Sequence, residues 1–262
     1  APIPPFADQR FDRWFARRGQ DRGGTRGRVI LWDDTWVRYH EPGIGRDAVA
    51  VLEAAGFTPV LAVGRVCCGR PAASRGLLDK ARRAAEHNVA LLHGSSEPIL
   101  FLEPSCWSMF KDEYRQFAVP GADEVAARCF LFEDFVLELL EAEPGALEFG
   151  TSGGDVAVHG HCHAKALAPT GSAVRLLERV PETSVRWLDT GCCGMAGAFG
   201  MLADHRELSL EVAQPLVQII LDLPPETSLI ASGTSCRHQI SDLTRRKPVH
   251  ISEVLNRALK QD

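Results

Sequence analysis

Two short runs, Cys67-Cys68-Gly69 and Cys192-Cys193-Gly194, are the most chemically pointed features of this chain. Each is followed further on by a Ser-Cys pair, Ser105-Cys106 and Ser235-Cys236. Cys162 sits between two histidines in His161-Cys162-His163, and Cys129 completes the set of eight cysteines. Adjacent cysteines are poorly placed to bridge each other, because a disulfide demands a specific Cβ geometry. A secreted disulfide scaffold is also shorter and denser in cysteine than this chain. Metal or redox use in a reduced, cytoplasmic compartment is therefore the better reading. Four thiolates, Cys162, Cys192, Cys193 and Cys236, form a natural donor set for iron–sulfur or zinc. Glycine after each cysteine pair lets the backbone come close to a bound group. The run Gly194-Met195-Ala196-Gly197-Ala198-Phe199-Gly200 has the same small-residue character and offers backbone N–H groups to an anion.

These residues need elements to hold them. Apolar runs at Val29–Trp32, Thr58–Val63 and Ile99–Leu102 read as strands, with helices expected at Asp47–Ala55 and Leu77–Leu92. The order then recurs, with strands at Asp155–His159, Val185–Leu188 and Ser228–Ala231 and helices at Ala173–Val180 and Arg206–Leu221. Each half reads strand, helix, strand–Cys-Cys-Gly, helix, strand–Ser-Cys. The expected fold is α/β, built as two pseudo-repeated Rossmann-like βαβ units with parallel sheets. The cysteine sites then fall at the C-terminal strand ends, where open α/β sheets bind ligands. A first unit is expected over 29–144 and a second over 155–262, with an inter-unit helix at Glu124–Glu141 and a linker at Pro144–Gly154. Residues 1–28 read as a tether, whose Phe11, Trp14 and Phe15 form an apolar stripe that docks on the main body.

The halves are unequal. The position that Cys162 occupies in the second half falls, in the first, on Asp33 or Asp34. Cys67, Cys68 and Cys106 supply three thiolates there, and a carboxylate is a harder ligand that suits iron–sulfur poorly. This half holds a zinc ion, a degraded cluster site or nothing. His161 and His163 would face away from Cys162 if a strand pleat continued through them. With His238, they are candidates for a ligand, a proton donor or a hydrogen-bonding support to the site. Cys129 lies in an apolar helical pattern and reads as core packing, as do the aromatics Trp32, Trp36, Tyr39 and Trp107.

Composition narrows the class. With 262 residues the chain can bury a sizeable core, and a net charge of -5 gives no electrostatic footprint for nucleic acid. Its apolar runs are too short to span a bilayer, which leaves only peripheral membrane association open. No signal peptide is visible. The start at Ala1, without Met and rich in proline, points to a fragment or a processed product.

At these motifs the chain resembles the cysteine-rich CCG-domain family. That family includes the CCG-bearing subunit of heterodisulfide reductase and the iron–sulfur subunits of glycolate oxidase and anaerobic glycerol-3-phosphate dehydrogenase. Lactate-utilisation proteins and the C-terminal part of FAD-linked D-lactate and D-2-hydroxyglutarate dehydrogenases also belong to it. The resemblance is carried by Asp34-Thr35-Trp36, Glu41-Pro42-Gly43, Val66-Cys67-Cys68-Gly69, Glu103-Pro104-Ser105-Cys106, His161-Cys162-His163, Gly191-Cys192-Cys193-Gly194-Met195-Ala196-Gly197 and Ser235-Cys236-Arg237. It implies a 4Fe–4S cluster, cubane or of the non-cubane kind in heterodisulfide reductase, on Cys162, Cys192, Cys193 and Cys236. It implies electron transfer for a flavin-linked oxidoreductase acting on a 2-hydroxy acid, with FAD on an upstream domain or partner and a ferredoxin-type domain alongside. Two departures stand out: an aspartate for the leading cysteine of the first half, and Cys236 followed by Arg237, His238 and Gln239 instead of a second cysteine. The rival readings are a zinc-binding structural or interaction module without redox chemistry, and a thiol–disulfide catalyst using Cys192 and Cys193.

Overall fold

The structure, a computed structural model, describes residues 4–19, 24–151, 153–168 and 170–260. Parts of the expected tether (1–3 and 20–23) and of the expected linker (152) lie outside the described residues. The chain divides into two compact units, one of them Pro4–Leu147 and the other essentially Glu148–Asp262.

The first unit runs α1 (Phe11–Arg17), β1 (Arg28–Trp32), α2 (Thr35–Tyr39), α3 (Pro42–Ala54), β2 (Thr58–Leu61), α4 (Arg70–Ala73), α5 (Leu78–Leu92), β3 (Ile99–Phe101) and α6 (Pro104–Ser108). After a π-helical turn at Met109–Glu113 come α7 (Tyr114–Gln116), α8 (Ala122–Ala127), β4 (Cys129–Leu131) and α9 (Phe132–Ala142). Its four parallel strands lie in the order β2-β1-β3-β4. The central strands are apolar at nearly every position and buried on both faces, as a helix-covered parallel sheet requires. Pro42 starts α3 at a position where its missing N–H costs nothing. Ala81, Ala85, Val89 and Leu92 give α5 one apolar face, and Asn88 is buried on that same side. Phe11 is fully buried, and its ring packs so close to Gly45 of α3 that a Cβ there would meet it at 2.6 Å.

The second unit runs β5 (Gly154–His159), α10 (Cys162–Leu167), α11 (Ser172–Leu177), β6 (Thr183–Leu188), two short 3-10 turns, α12 (Arg206–Leu221), β7 (Ser228–Ile230), α13 (Thr234–Thr244) and α14 (Ile251–Ala258). Its parallel strands lie in the order β6-β5-β7. That order matches β2-β1-β3 strand for strand, so the duplication read from the motifs is a duplication of topology. Both units are α/β with parallel sheets, as expected.

Two local expectations fail for physical reasons. Glu124–Glu141 is not one helix: α8 ends at Ala127, and Cys129–Leu131 leaves to pair in parallel with Ile99–Phe101 before α9 begins. Backbone pairing at the sheet edge overrides the helical spacing of the apolar residues. Cys129 is buried, as a packing residue should be, but on a strand. The pleat of β5 also does not continue through Cys162, because the strand stops at His159 and α10 starts at Cys162 with His161 as its N-cap.

Candidate metal or cluster centres

In the second unit three loops leave the carboxyl ends of adjacent parallel strands. Cys162 opens α10 after β5, Cys192 and Cys193 follow β6, and Cys236 lies in the first turn of α13 after β7. Cys193 and Cys236 are buried in a core cluster with Leu188, Met195, Leu216 and Ile240, whereas Cys162 and Cys192 are half-buried. The four thiols touch in a chain, Cys162 to Cys192, Cys192 to Cys193 and Cys193 to Cys236. Sharing of protons along this chain pushes the Cys162 and Cys193 thiols up. Cys192 is pulled down, first by its bonds to Cys162 and Cys193 and further by the Gly194 N–H, 3.3 Å from its sulfur. Cys236 is pulled down by Cys193 and then by the imidazoles of His161 and His159. A low-lying thiolate is the form that binds metal.

The histidines divide by role. His161 is turned inward by its cap position, where Nδ1 accepts the His163 N–H at 3.1 Å. Its ring sits so close to Gly233 that a Cβ there would meet Cδ2 at 2.1 Å. His159 is buried with Nδ1 3.1 Å from Thr190 Oγ1, and its other side faces Cys236. His163 approaches Cys162 through its backbone N–H, and His238 is half-buried on α13. His159, the last residue of β5, belongs with His161 and His163 to the histidines that alternate around Cys162 in the sequence. Arg237 also lies buried at this edge and donates to the carbonyls of Ala231 and Ser232 at 3.0 and 2.7 Å.

The glycine of the second cysteine pair admits the backbone of a neighbouring helix. Gly194 has φ +83°, and a Cβ on it would meet the Ser209 carbonyl oxygen of α12 at 2.1 Å. A side chain here has no room beside the backbone of α12. Ser209 Oγ in turn donates to Gly194 O at 2.8 Å and fixes the turn to α12.

The first unit repeats this frame with different donors. Cys67 and Cys68 follow β2, Cys106 lies in α6 after β3, and the sulfurs of Cys68 and Cys106 are 3.1 Å apart. Asn88 accepts the Val66 N–H at 3.0 Å and donates to Cys67 O at 3.2 Å. The Tyr114 hydroxyl donates to Cys68 O at 2.8 Å. Sequence reasoning misses both braces, since a lone Asn on a helix and a lone Tyr carry no motif.

Asp33 and Asp34 are told apart by their partners. Asp33 is fully buried and held by a two-pronged pair from Arg38, at 2.6 and 2.9 Å, and by Arg65 at 3.3 Å. Its carboxylate is committed to structure. Asp34 caps α2, with Oδ1 accepting from Trp36 and Val37 N–H at 2.7 and 3.2 Å. Burial, and then the charge of nearby Glu103, push its carboxyl up to about 7. Cys106 gains from its contact with Cys68, yet burial and the charges of Asp34 and Glu103 hold it up at about 11. Asp34, Glu103 and Cys106 therefore stand together, and Asp33 stands apart. Cys129 belongs to neither site: its thiol reaches Val125 O at 3.2 Å, and burial pushes it up to about 12.

Among the described residues no three His, Cys, Asp or Glu side chains already stand at metal-coordinating positions. The thiols contact one another instead. By chemistry, four thiols converging from three loops fit a thiolate-ligated group in the second unit, and three thiols with one carboxylate are the donors in the first.

Each unit is thus a cysteine-rich α/β module with its thiols gathered at one sheet edge. The sequence profile of the cysteine-rich CCG domain matches residues 35–111, within the first unit. Over those residues the chain matches the family that its motifs resemble. It is 25% identical over 269 residues to a subunit of the anaerobic glycerol-3-phosphate dehydrogenase of Escherichia coli strain K12, covering 98% of this chain and 65% of that relative. It is 28% identical over 246 residues to lactate utilization protein A of Bacillus thuringiensis, covering 87% of this chain and 98% of the relative. The chain therefore spans a little under two-thirds of the dehydrogenase subunit. A crystal structure of a hypothetical protein from Helicobacter pylori covers the whole chain at a TM-score of 0.55, with 11% identity and 52% of that protein matched, a likeness of fold alone. No described helix is long and apolar enough to cross a membrane.

Proposed function

We propose that the chain is an electron-transfer module of an oxidoreductase, with an iron–sulfur cluster held by Cys162, Cys192, Cys193 and Cys236. The observation that carries this reading is the convergence of those four thiols at the carboxyl ends of β5, β6 and β7. A bound 4Fe–4S cluster, cubane or non-cubane, would supply one-electron chemistry there. The chain's own residues prepare the place. Cys192 and Cys236 lie toward the thiolate form, and the Gly194 N–H is aimed at the Cys192 sulfur, where hydrogen bonds tune reduction potential. Burial of Cys193 and Cys236 keeps water from the inner side, while half-buried Cys162 and Cys192 leave an outer side for electron exchange with a partner.

The relatives' names support a dehydrogenase context, since one is a subunit of a glycerol-3-phosphate dehydrogenase and another a lactate utilization protein. The partner in this reading is a flavin dehydrogenase domain or subunit that oxidises a CH–OH donor of the D-lactate, glycolate or 2-hydroxyglutarate type. A ferredoxin-type domain passes electrons between them, the module is inactive alone, and its compartment is the cytoplasm. The test is anaerobic reconstitution of the full chain with iron and sulfide, followed by visible spectroscopy. The expected result is a brown protein whose absorption bleaches on reduction and returns on oxidation. A protein that stays colourless refutes the reading.

A further inference from the structure

Lys165 stands beside the thiols of the second unit without being one of their number. We propose that it is a positioning residue of that site: its ammonium fastens the loop that bears Cys192 to the helix that starts at Cys162, and its charge raises the reduction potential of the group held there. The effect on potential rests on the cluster reading above; the fastening does not.

The geometry is local. Lys165 follows Cys162 by one helical turn on α10, so the two side chains leave the same face of the helix. Its Nζ donates to Thr190 O at 2.5 Å and to Gly191 O at 3.2 Å. These are the two residues that immediately precede Cys192, whose thiol touches that of Cys162. Little else holds this stretch. Asp189 and Gly191 are exposed, and nothing lies within 4 Å of the Cβ position of Gly191. Thr190 has two further ties, its hydroxyl 3.1 Å from His159 Nδ1 and its N–H donating to Leu188 O at 2.9 Å. Both of those reach back to the end of a strand, so Lys165 alone ties the loop to α10 among the described residues.

The charge adds what a neutral clamp would not. The partners of the ammonium are carbonyl oxygens, and among the described residues no carboxylate pairs with it, Asp189 of the same loop included. Holding a long, strongly hydrated side chain half-buried in one place costs rotamer freedom and hydration. A neutral donor would satisfy the same two carbonyls at a lower cost. An unneutralised positive charge beside Cys192 favours whichever state of the bound group carries more negative charge. One-electron reduction creates that state, so the ammonium raises the potential. The step adds one electron, breaks no bond and needs no proton.

The test compares Lys165→Met, which removes donors and charge together, with Lys165→Arg, which keeps both. Amide hydrogen exchange of the metal-free full chain over residues 189–193 reads the fastening. The expected result is exchange about tenfold faster in Lys165→Met and close to wild type in Lys165→Arg, with the strands of the unit unaffected. Titration of the anaerobically reconstituted chain with dithionite, which supplies the electron, reads the potential by visible absorption. The expected result is a reduction equilibrium about tenfold less favourable in Lys165→Met, equivalent to about 59 mV for a one-electron couple, and recovered in Lys165→Arg. Unchanged exchange in Lys165→Met overturns the fastening. An unchanged potential in Lys165→Met, or one that Lys165→Arg does not recover, overturns the role of the charge. A wild-type chain that takes up no iron refutes the cluster reading and the effect on potential with it, while the exchange measurement still decides the fastening.

Discussion

Replacing Gly194 with alanine tests the architecture of the second site at one atom. The backbone there has φ +83°, which costs a non-glycine residue about 1 kcal/mol or more. The new Cβ would also stand 2.1 Å from Ser209 O and 3.2 Å from Ala213 N. Both are backbone atoms of α12, so no rotamer change relieves the contact, and overpacking of this kind typically costs about 1–3 kcal/mol more. The expected loss is about 3 kcal/mol, or a fall of roughly 10 °C in the melting temperature of a unit this size. Displacement of the turn also takes the Gly194 N–H away from Cys192, so iron retention should drop with stability. Gly191→Ala is the matched control: nothing lies within 4 Å of its Cβ position and its φ is ordinary, so it should stay within about 0.5 kcal/mol of wild type. Thermal denaturation of both variants, with iron content measured alongside, decides the matter. Equal stability of Gly194→Ala and Gly191→Ala would show that α12 does not press on this turn.

The remaining predictions concern the first unit. Asn88→Ala removes the partner of Val66 N, Cys67 O and the Tyr114 hydroxyl, and should cost about 2–3 kcal/mol in chemical denaturation. Asp33→Asn weakens the grip of Arg38 and Arg65 on a fully buried carboxylate and should cost about 3 kcal/mol in chemical denaturation. Cys129, buried and with its thiol pushed up, should resist iodoacetamide in the native chain and react only on unfolding, as read by mass spectrometry.

Much of this was legible in the residues because the signals were local and repeated. Apolar runs ending in Cys-Cys-Gly or Ser-Cys located the strands and their carboxyl ends, and parallel pairing then brought the thiols of each unit to one edge. What was not legible depended on partners distant in sequence. Asp33 and its neighbour Asp34 are acids in the same loop, and they are told apart by partners: Arg38 and Arg65 hold the first, and the N-terminus of α2 is capped by the second. Cys129 looks helical in its own neighbourhood and becomes a strand because the edge of β3 is open to it. The inward turn of His161 follows from the cap of α10, which the pleat argument could not see. Gly194 marks a close approach, as its place after the cysteine pair suggests, and the backbone of α12 stands on its Cβ side.

The central claim is that Cys162, Cys192, Cys193 and Cys236 jointly hold an iron–sulfur cluster. Iron and acid-labile sulfide per chain, measured after anaerobic reconstitution of wild type and of Cys236→Ser, test it most directly. The account predicts iron and sulfide in equal amounts in the wild-type chain and a loss of most of both in the variant, with the fold retained. Iron that is absent from wild type, or that survives unchanged in Cys236→Ser, would contradict it.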